Sequence, residues 1–372
     1  MSIPRAKDKP LFTPGPLTTS QTVKTAMLRD LGSRDDEFIA LVKDVRDRIL
    51  QTAGVSQSTG YEAVPMQGSG TFSLEAVVSS CIPRNGKLLV VVNGAYGERL
   101  AKMAQIHGIE TVVLRSKENE LPDLDELRNQ LKADDDIAMV SVCHCETTSG
   151  IMNPIQEIGQ VVHKHGRKYF VDSMSAFGAV PFDFEAAHID YLVSSSNKCI
   201  EGVPGFAFAI CRRDSLLETE GSARTLSLDL LSQWKGLEAG GQFRFTPPTH
   251  AFLAFHQALL ELESEGGVSG RATRYRANYE RLSDGMARMG FQEYVPRELQ
   301  GYIITSFRYP ENSRFDFTRF YDGLNDRGFV IYPGKVSDAE CFRIGNIGRV
   351  FTEDVDMLLA TIRNVLDDMQ IN

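Results

Sequence analysis

The sequence predicts an α/β fold, with a large unit built on a mostly parallel sheet between helices and a smaller C-terminal α+β unit. Three observations predict it. Between Tyr61 and Cys211, short apolar runs alternate with helical patterns across brief turns, the signature of a parallel sheet covered on both faces. The polar and glycine-rich segments of this stretch fall just after the apolar runs, and in such sheets ligands sit beyond the carboxyl ends of the strands. From about His250 the rhythm changes to long helical patterns and then to short mixed elements. The expected division is an N-terminal arm over 1–20, a large domain over 21–260 and a small domain over 261–372.

In chain order, Leu11-Phe-Thr-Pro-Gly-Pro-Leu17 is an extended, turn-bearing segment, because its prolines around Gly15 exclude helix. Helices follow over Thr22–Leu31 and Glu37–Ala53, the second carrying an apolar stripe and closed by Gly54. Tyr61–Gln67 reads as a strand that runs through Gly68-Ser-Gly-Thr71 into a helix over Phe72–Cys81. Strands are expected at Lys87–Val92, Thr111–Leu114, Ile137–Val142 and Lys168–Asp172, with helices over Glu98–His107 and Leu124–Leu131 between them. Asn153 and Pro154 read as the cap and first position of another helix. Tyr191–Val193 and Phe206–Ile210 are two buried strands joined by Ser194-Ser-Ser-Asn-Lys-Cys-Ile-Glu-Gly-Val-Pro-Gly205. Beyond a loop at 240–249 come helices over Ala251–Glu265 and Gly267–Met289. Strands at Gly301–Phe307, Phe329–Pro333 and Cys341–Asn346 and helices at Phe317–Arg327 and Thr352–Met369 complete the chain.

A net charge of −9 without any basic block argues against a nucleic-acid partner. No apolar run is long enough for a bilayer, and the start of the chain lacks the apolar core of a signal peptide, so a soluble, cytoplasmic protein is expected. The six cysteines form no CxxC pair and read as reduced thiols. Cys143-His-Cys-Glu146 superficially suggests a zinc hydrolase, but the Pro-Cys-x-x-Cys that such a site needs is missing, and no metal is expected.

Lys198 stands at the mouth of a turn among small residues, where partial desolvation lets an amine shed its proton and form a Schiff base. Taken alone, a lysine in this place is far more often a solvated one at a strand end, so the case rests on partners elsewhere. Gly68-Ser-Gly-Thr71 leads into a helix start that can present free N–H groups to a phosphate, or be a packed turn. Asp172 ends a neighbouring strand, and Tyr96 lies in a glycine-flanked turn. A cap and a core aromatic are the plain alternatives for these two. Together the set suits pyridoxal 5′-phosphate: Lys198 for the aldehyde, Asp172 for the pyridine nitrogen, Tyr96 for the ring face and Ser69 to Thr71 for the phosphate.

Phe12-Thr-Pro-Gly-Pro-Leu-Thr-Thr19, Gln67-Gly-Ser-Gly70, Asn93-Gly-Ala-Tyr-Gly97, Glu146-Thr-Thr148, Ser195-Ser-Asn-Lys-Cys-Ile200, Arg244-Phe-Thr246, Val330-Ile-Tyr-Pro-Gly-Lys-Val-Ser337 and Cys341-Phe-Arg-Ile-Gly-Asn-Ile-Gly348 span nearly the whole chain. On these residues the sequence resembles the class V pyridoxal-phosphate aminotransferases. The resemblance implies the aspartate-aminotransferase-like fold and a homodimer with shared active sites. It implies Lys198 and Asp172 as the catalytic pair. Ser69, Gly70, Thr71 and Asn197 are implied for the cofactor's phosphate, Tyr96 for stacking and Thr147 for the ring hydroxyl. Thr246 is implied for the phosphate of the partner's cofactor, and Arg343 for the acidic group of the substrate. The implied reaction is amino transfer from 2-aminoethylphosphonate to pyruvate, giving phosphonoacetaldehyde and alanine, with alanine:glyoxylate or serine:glyoxylate transfer as the alternative. A cysteine desulfurase is disfavoured, because Cys341 lies inside a strand-like run close to Arg343 rather than on a mobile loop.

Overall fold

The structure, a computed structural model, describes residues 8–371, so the first seven residues of the expected arm and Asn372 at the end of the expected small domain lie outside the described residues. The first half of the chain contains α1 (Gln21–Ala26), α2 (Asp36–Thr52), β1 (Tyr61–Gln67), α3 (Gly70–Cys81), β2 (Lys87–Val92), α4 (Ala95–Ile106), β3 (Thr111–Arg115), α5 (Leu124–Ala133), β4 (Ile137–Cys143), the short pair β5 (Cys145–Glu146) and β6 (Ile151–Met152), α6 (Ile155–Lys164) and β7 (Lys168–Asp172). The second half continues with β8 (Tyr191–Ser195), β9 (Phe206–Arg212), α7 (Arg213–Leu217), α8 (Leu230–Gly240), α9 (Thr249–Ser264), α10 (Gly267–Arg288), β10 (Ile304–Arg308), α11 (Phe317–Asp326), β11 (Tyr332–Pro333), β12 (Cys341–Gly345) and α12 (Thr352–Asp368).

One seven-stranded sheet has the order β1-β9-β8-β7-β4-β2-β3. The five strands from β8 to β3 pair in parallel, whereas β9 runs antiparallel to both β8 and β1. A connection as short as 196–205 cannot cross over to return a parallel strand, which is why β9 turns back. With β9 reversed on both sides, β1 shares the direction of β8. The carboxyl ends of β1, β2, β4, β7 and β8 therefore open on one rim. These strands are buried on both faces, as their continuous apolar runs require, and α2, α3, α6 and α9 cover them. A second, antiparallel sheet of order β10-β12-β11 packs with α10, α11 and α12 around Phe291, Phe307, Phe320 and Phe342. Phe12 from the arm joins this second cluster, held by backbone bonds to Val330 and Gly345 at 2.9 and 3.0 Å.

Several boundaries differ from the sequence expectation for identifiable reasons. Helix α1 stops at Ala26, and Leu28 beyond it is 82% exposed, with no apolar surface to hold a further turn. Helix α4 begins three residues early, so Tyr96 occupies its first turn rather than a loop. Asn153 does not cap α6; its side chain bonds Asn93 Oδ1 at 3.1 Å and the Cys143 carbonyl at 2.8 Å, and Pro154 takes the cap position. The strand expected over Phe329–Pro333 keeps only Tyr332–Pro333, because Val330 pairs with Leu11 of the arm instead. Helices α7 and α8 form at the two ends of 213–240, a stretch without a clear apolar period, where Asp229 caps α8 through the Ser232 N–H.

Candidate active site

Ser69, Gly70, Thr71, Tyr96, Thr147, Asp172, Asn197 and Lys198 all border one cavity of about 200 Å³ on the strand-end rim. The sheet explains the convergence: each residue lies at or just after the carboxyl end of β1, β2, β4, β7 or β8. The Lys198 ammonium donates to the Pro14 carbonyl and has no carboxylate within 4 Å among the described residues. Burial lowers its pKa. Gly15 adopts a left-handed φ of +112°, and a Cβ there would come within 2.8 Å of the lysine stem, so the arm closes over Lys198 only with glycine at this place.

Asp172 is 5% exposed at the end of β7, where Oδ1 accepts the Met174 N–H at 3.0 Å and Oδ2 faces the Cys143 thiol at 3.7 Å. Burial raises its carboxyl from 3.8 to about 6, only partly opposed by the Met174 N–H. Without a bound cation, ionising this group at neutral pH costs the fold roughly 3 kcal/mol. The folded value lies above the unfolded one, so this contribution favours the fold at low pH and is lost as pH rises through about 6. We expect cofactor-free Asp172→Asn to melt higher than cofactor-free wild type at pH 7, with the gap closing towards pH 4. Thermal denaturation at both pH values checks this, and an equal gap at both counts against it.

At the start of α3 no side chain caps the first turn, so its N–H groups and the positive helix end face the cavity. Gly70 forms part of the wall; a Cβ there would meet Met174 Sδ at 2.5 Å. Thr147 Oγ1 lies 3.2 Å from Ser175 Oγ, and Asn197 Oδ1 accepts the Ser195 hydroxyl at 3.0 Å. Arg99, which the sequence reading missed, also borders the cavity, with Nη1 3.4 Å from Thr71 Oγ1 and its guanidinium 4.8 Å from the Tyr96 ring centroid. Its spacing from Tyr96 by three residues would have revealed it, had the start of α4 been placed at Ala95.

Two predicted residues stand apart from the cavity wall. Thr246 is exposed on the loop before α9, where its carbonyl accepts from Gln67 Nε2 at 3.4 Å. Arg343, 3% exposed in β12, lies just behind the wall: Nη1 donates to the Thr147 carbonyl at 2.8 Å and Nε to the Pro333 carbonyl at 3.0 Å. Among the described residues it has no carboxylate within 4 Å, so it is not half of a structural ion pair. Tyr332 covers it, 5.2 Å from ring centroid to guanidinium.

Two buried acids organise the surroundings. Glu146 accepts the Gly97 N–H at 3.2 Å and the Thr148 N–H at 3.0 Å, which supplies the α4 cap that the local sequence lacks. Its neighbour His144 bonds Ser173 Oγ at 3.1 Å, and burial lowers its pKa to about 3. Glu201, three residues past Lys198, has a left-handed φ of 68° and accepts from Arg274 at 2.7 Å and Tyr275 at 2.6 Å. Its own N–H donates to the Lys198 carbonyl at 2.7 Å, and Arg271 donates to the Cys199 carbonyl. Arg274 reaches on to the Gly348 carbonyl at 2.6 Å, just past β12.

The residues present fit pyridoxal 5′-phosphate. An amine without an acidic partner faces the cavity, an uncompensated buried carboxylate lies in the same wall, and an uncapped helix start offers donors to a phosphate. Fold and cavity together define a class, the pyridoxal-phosphate enzymes on an aspartate-aminotransferase-like sheet. The family model for aminotransferase class-V matches residues 18–327. Curated relatives include a 2-aminoethylphosphonate–pyruvate transaminase of Vibrio cholerae serotype O1, 48% identical over 96% of this chain and 97% of the relative. Another of that name, from Syntrophobacter fumaroxidans, is 49% identical over 96% of both chains. Among solved structures, alanine–glyoxylate aminotransferase from Nostoc sp. superposes with a TM-score of 0.89 at 24% identity, covering 98% of this chain and 97% of its own. Pyridoxamine-pyruvate aminotransferase from Mesorhizobium loti gives 0.88 at 23%, covering 100% and 95%. At such identities these structures speak to the fold alone. The chain belongs to the class-V aminotransferases, and its cofactor is pyridoxal 5′-phosphate.

Proposed function

We propose that the protein transfers the amino group of 2-aminoethylphosphonate to pyruvate, releasing phosphonoacetaldehyde and alanine. The observation that carries this reading is Arg343, a buried guanidinium without an acidic partner among the described residues, in a chain about half identical to transaminases of that name. A planar fork of N–H donors suits phosphonate and carboxylate alike, so one residue serves both half-reactions. When bound, the cofactor supplies an electron sink for the carbon that carries the transferred nitrogen. Lys198 would hold the cofactor through its amine and, when free, would take the proton from the substrate carbon and return it; its lowered pKa favours the neutral amine needed for this. Asp172 would keep the ring nitrogen protonated, Tyr96 would cover the ring and Thr147 would meet its hydroxyl. Ser69, Gly70, Thr71 and Asn197 would hold the phosphate.

The deciding experiment offers the purified holoenzyme a panel of amines with pyruvate or glyoxylate and quantifies the keto or aldehyde product. 2-Aminoethylphosphonate with pyruvate should be the best pair. Faster turnover of alanine with glyoxylate sinks the reading.

The same proposal includes a cytoplasmic homodimer with shared sites, and a division of each chain into a large domain over 21–260 and a small one over 261–372. Exposed Phe72 and Phe245 lie near the cavity mouth, beside the loop that carries Thr246, and an apolar surface there suits coverage by a second copy. Thr246 then reaches the partner's phosphate. Mixing an inactive Lys198→Ala chain with an inactive Thr246→Ala chain should restore part of the activity. Proven hybrids without recovery argue against sharing.

A further inference from the structure

Tyr96 stands among three cations. The Lys335 ammonium lies 4.5 Å from its ring centroid, the Arg99 guanidinium lies 4.8 Å away, and Arg343 follows behind the cavity wall. Burial raises the Tyr96 phenol, while Arg343 and Arg99 pull it down. Partial burial and the same two arginines lower the Lys335 ammonium. Among the described residues none of the three cations has a carboxylate within 4 Å. The acid beside them, Glu146, is committed to the Gly97 and Thr148 N–H groups.

Three mutually repelling cations exceed what a carboxylate needs, because the Arg343 fork alone matches its two oxygens and single charge. A phosphonate has a third oxygen and a second ionisation. Arg99 is tied to Thr71 at the α3 start and so serves the cofactor side. Lys335 accepts no such tie. It is a point charge on a flexible stem, placed on the connection between β11, whose Tyr332 pairs with Arg343, and β12, the strand that carries Arg343. We propose that Lys335 is a specificity-determining residue that takes the third oxygen and second charge of the phosphonate, separating it from carboxylate substrates. This rests on the aminophosphonate reading above.

The test compares kcat/KM of the holoenzyme for 2-aminoethylphosphonate with that for alanine as the amino donor. Lys335→Met should lose at least about tenfold with the phosphonate and less than about threefold with alanine, and Lys335→Arg should recover most of the loss. An exposed lysine merely resting on Tyr96 would not move the ratio of the two constants. Equal losses with both donors, or no loss with either, overturn the inference while leaving the function standing. A wild-type enzyme that ignores the phosphonate overturns the function itself and this inference with it.

Discussion

Lys198→Ala should abolish transamination for practical purposes, with turnover down by about 10⁴-fold, because among the described residues it removes the only amine bordering the cavity and with it both the proposed anchor and the proposed proton carrier. The fold should survive. The Lys198 side chain makes one hydrogen bond, to the Pro14 carbonyl, and no ion pair among the described residues, so its loss leaves no buried partner charge. Borohydride reduction of the wild type should fix the cofactor to Lys198, and peptide mapping reads the site directly. A tag on Lys168 or on Lys335 overturns the assignment. Lys168 is the instructive competitor, since its ammonium is bound to Ser215 at 3.0 Å and Glu218 at 2.8 Å at the other end of its strand. That amine is engaged by a carboxylate, whereas the buried one at Lys198, whose pKa burial lowers, has no acidic partner among the described residues.

Arg343→Ala should lower kcat/KM on the order of 10³-fold with both 2-aminoethylphosphonate and alanine, the loss expected when a desolvated charge partner is removed from a bound anion. Cofactor binding should persist, because Arg343 lies behind the wall rather than in it. Stability offers a second readout. A half of a buried ion pair is expensive to delete, but Arg343 leaves only the Thr147 and Pro333 carbonyls behind, and its own burial without a counterion opposes folding. The melting temperature should therefore stay within about 3 °C of wild type. Arg343→Lys keeps the charge and loses the fork, so it should fall between the two. Wild-type rates on the phosphonate in Arg343→Ala would falsify the anchoring role.

Local sequence carried most of the sheet and much of the rim. Apolar runs such as Lys87–Val92 and Lys168–Asp172 need no distant partner to be recognised, and the structure keeps their boundaries. The positions of Ser69, Asp172 and Lys198 follow from them, since a parallel sheet gathers its strand ends whatever the details of packing. Features that depend on residues remote in sequence stayed hidden. The first turn of α4 is capped by Glu146, fifty positions downstream, so nothing near Tyr96 announces the helix or points to Arg99. Val330 pairs with Leu11 across almost the whole chain, which shortens a strand that looks complete in isolation. The Arg271, Arg274 and Glu201 cluster joins segments some seventy positions apart, and charged residues on a long helix read as a solvated face until the fold buries them.

That cluster has a metric consequence. Arg274 touches Glu201 on the loop of the reactive amine and, with the same side chain, the carbonyl of Gly348 just beyond the strand of Arg343. The amine and the guanidinium to which the proposed reaction gives the proton and the anion are thus mounted on the two jaws of one caliper, and a largely buried strut sets its opening. In the proposed reaction a substrate is gauged between a fixed anion seat and a fixed nitrogen seat. Its carbon chain must match that span, so selection for chain length arises from the separation of the two seats and needs no wall to exclude longer homologues.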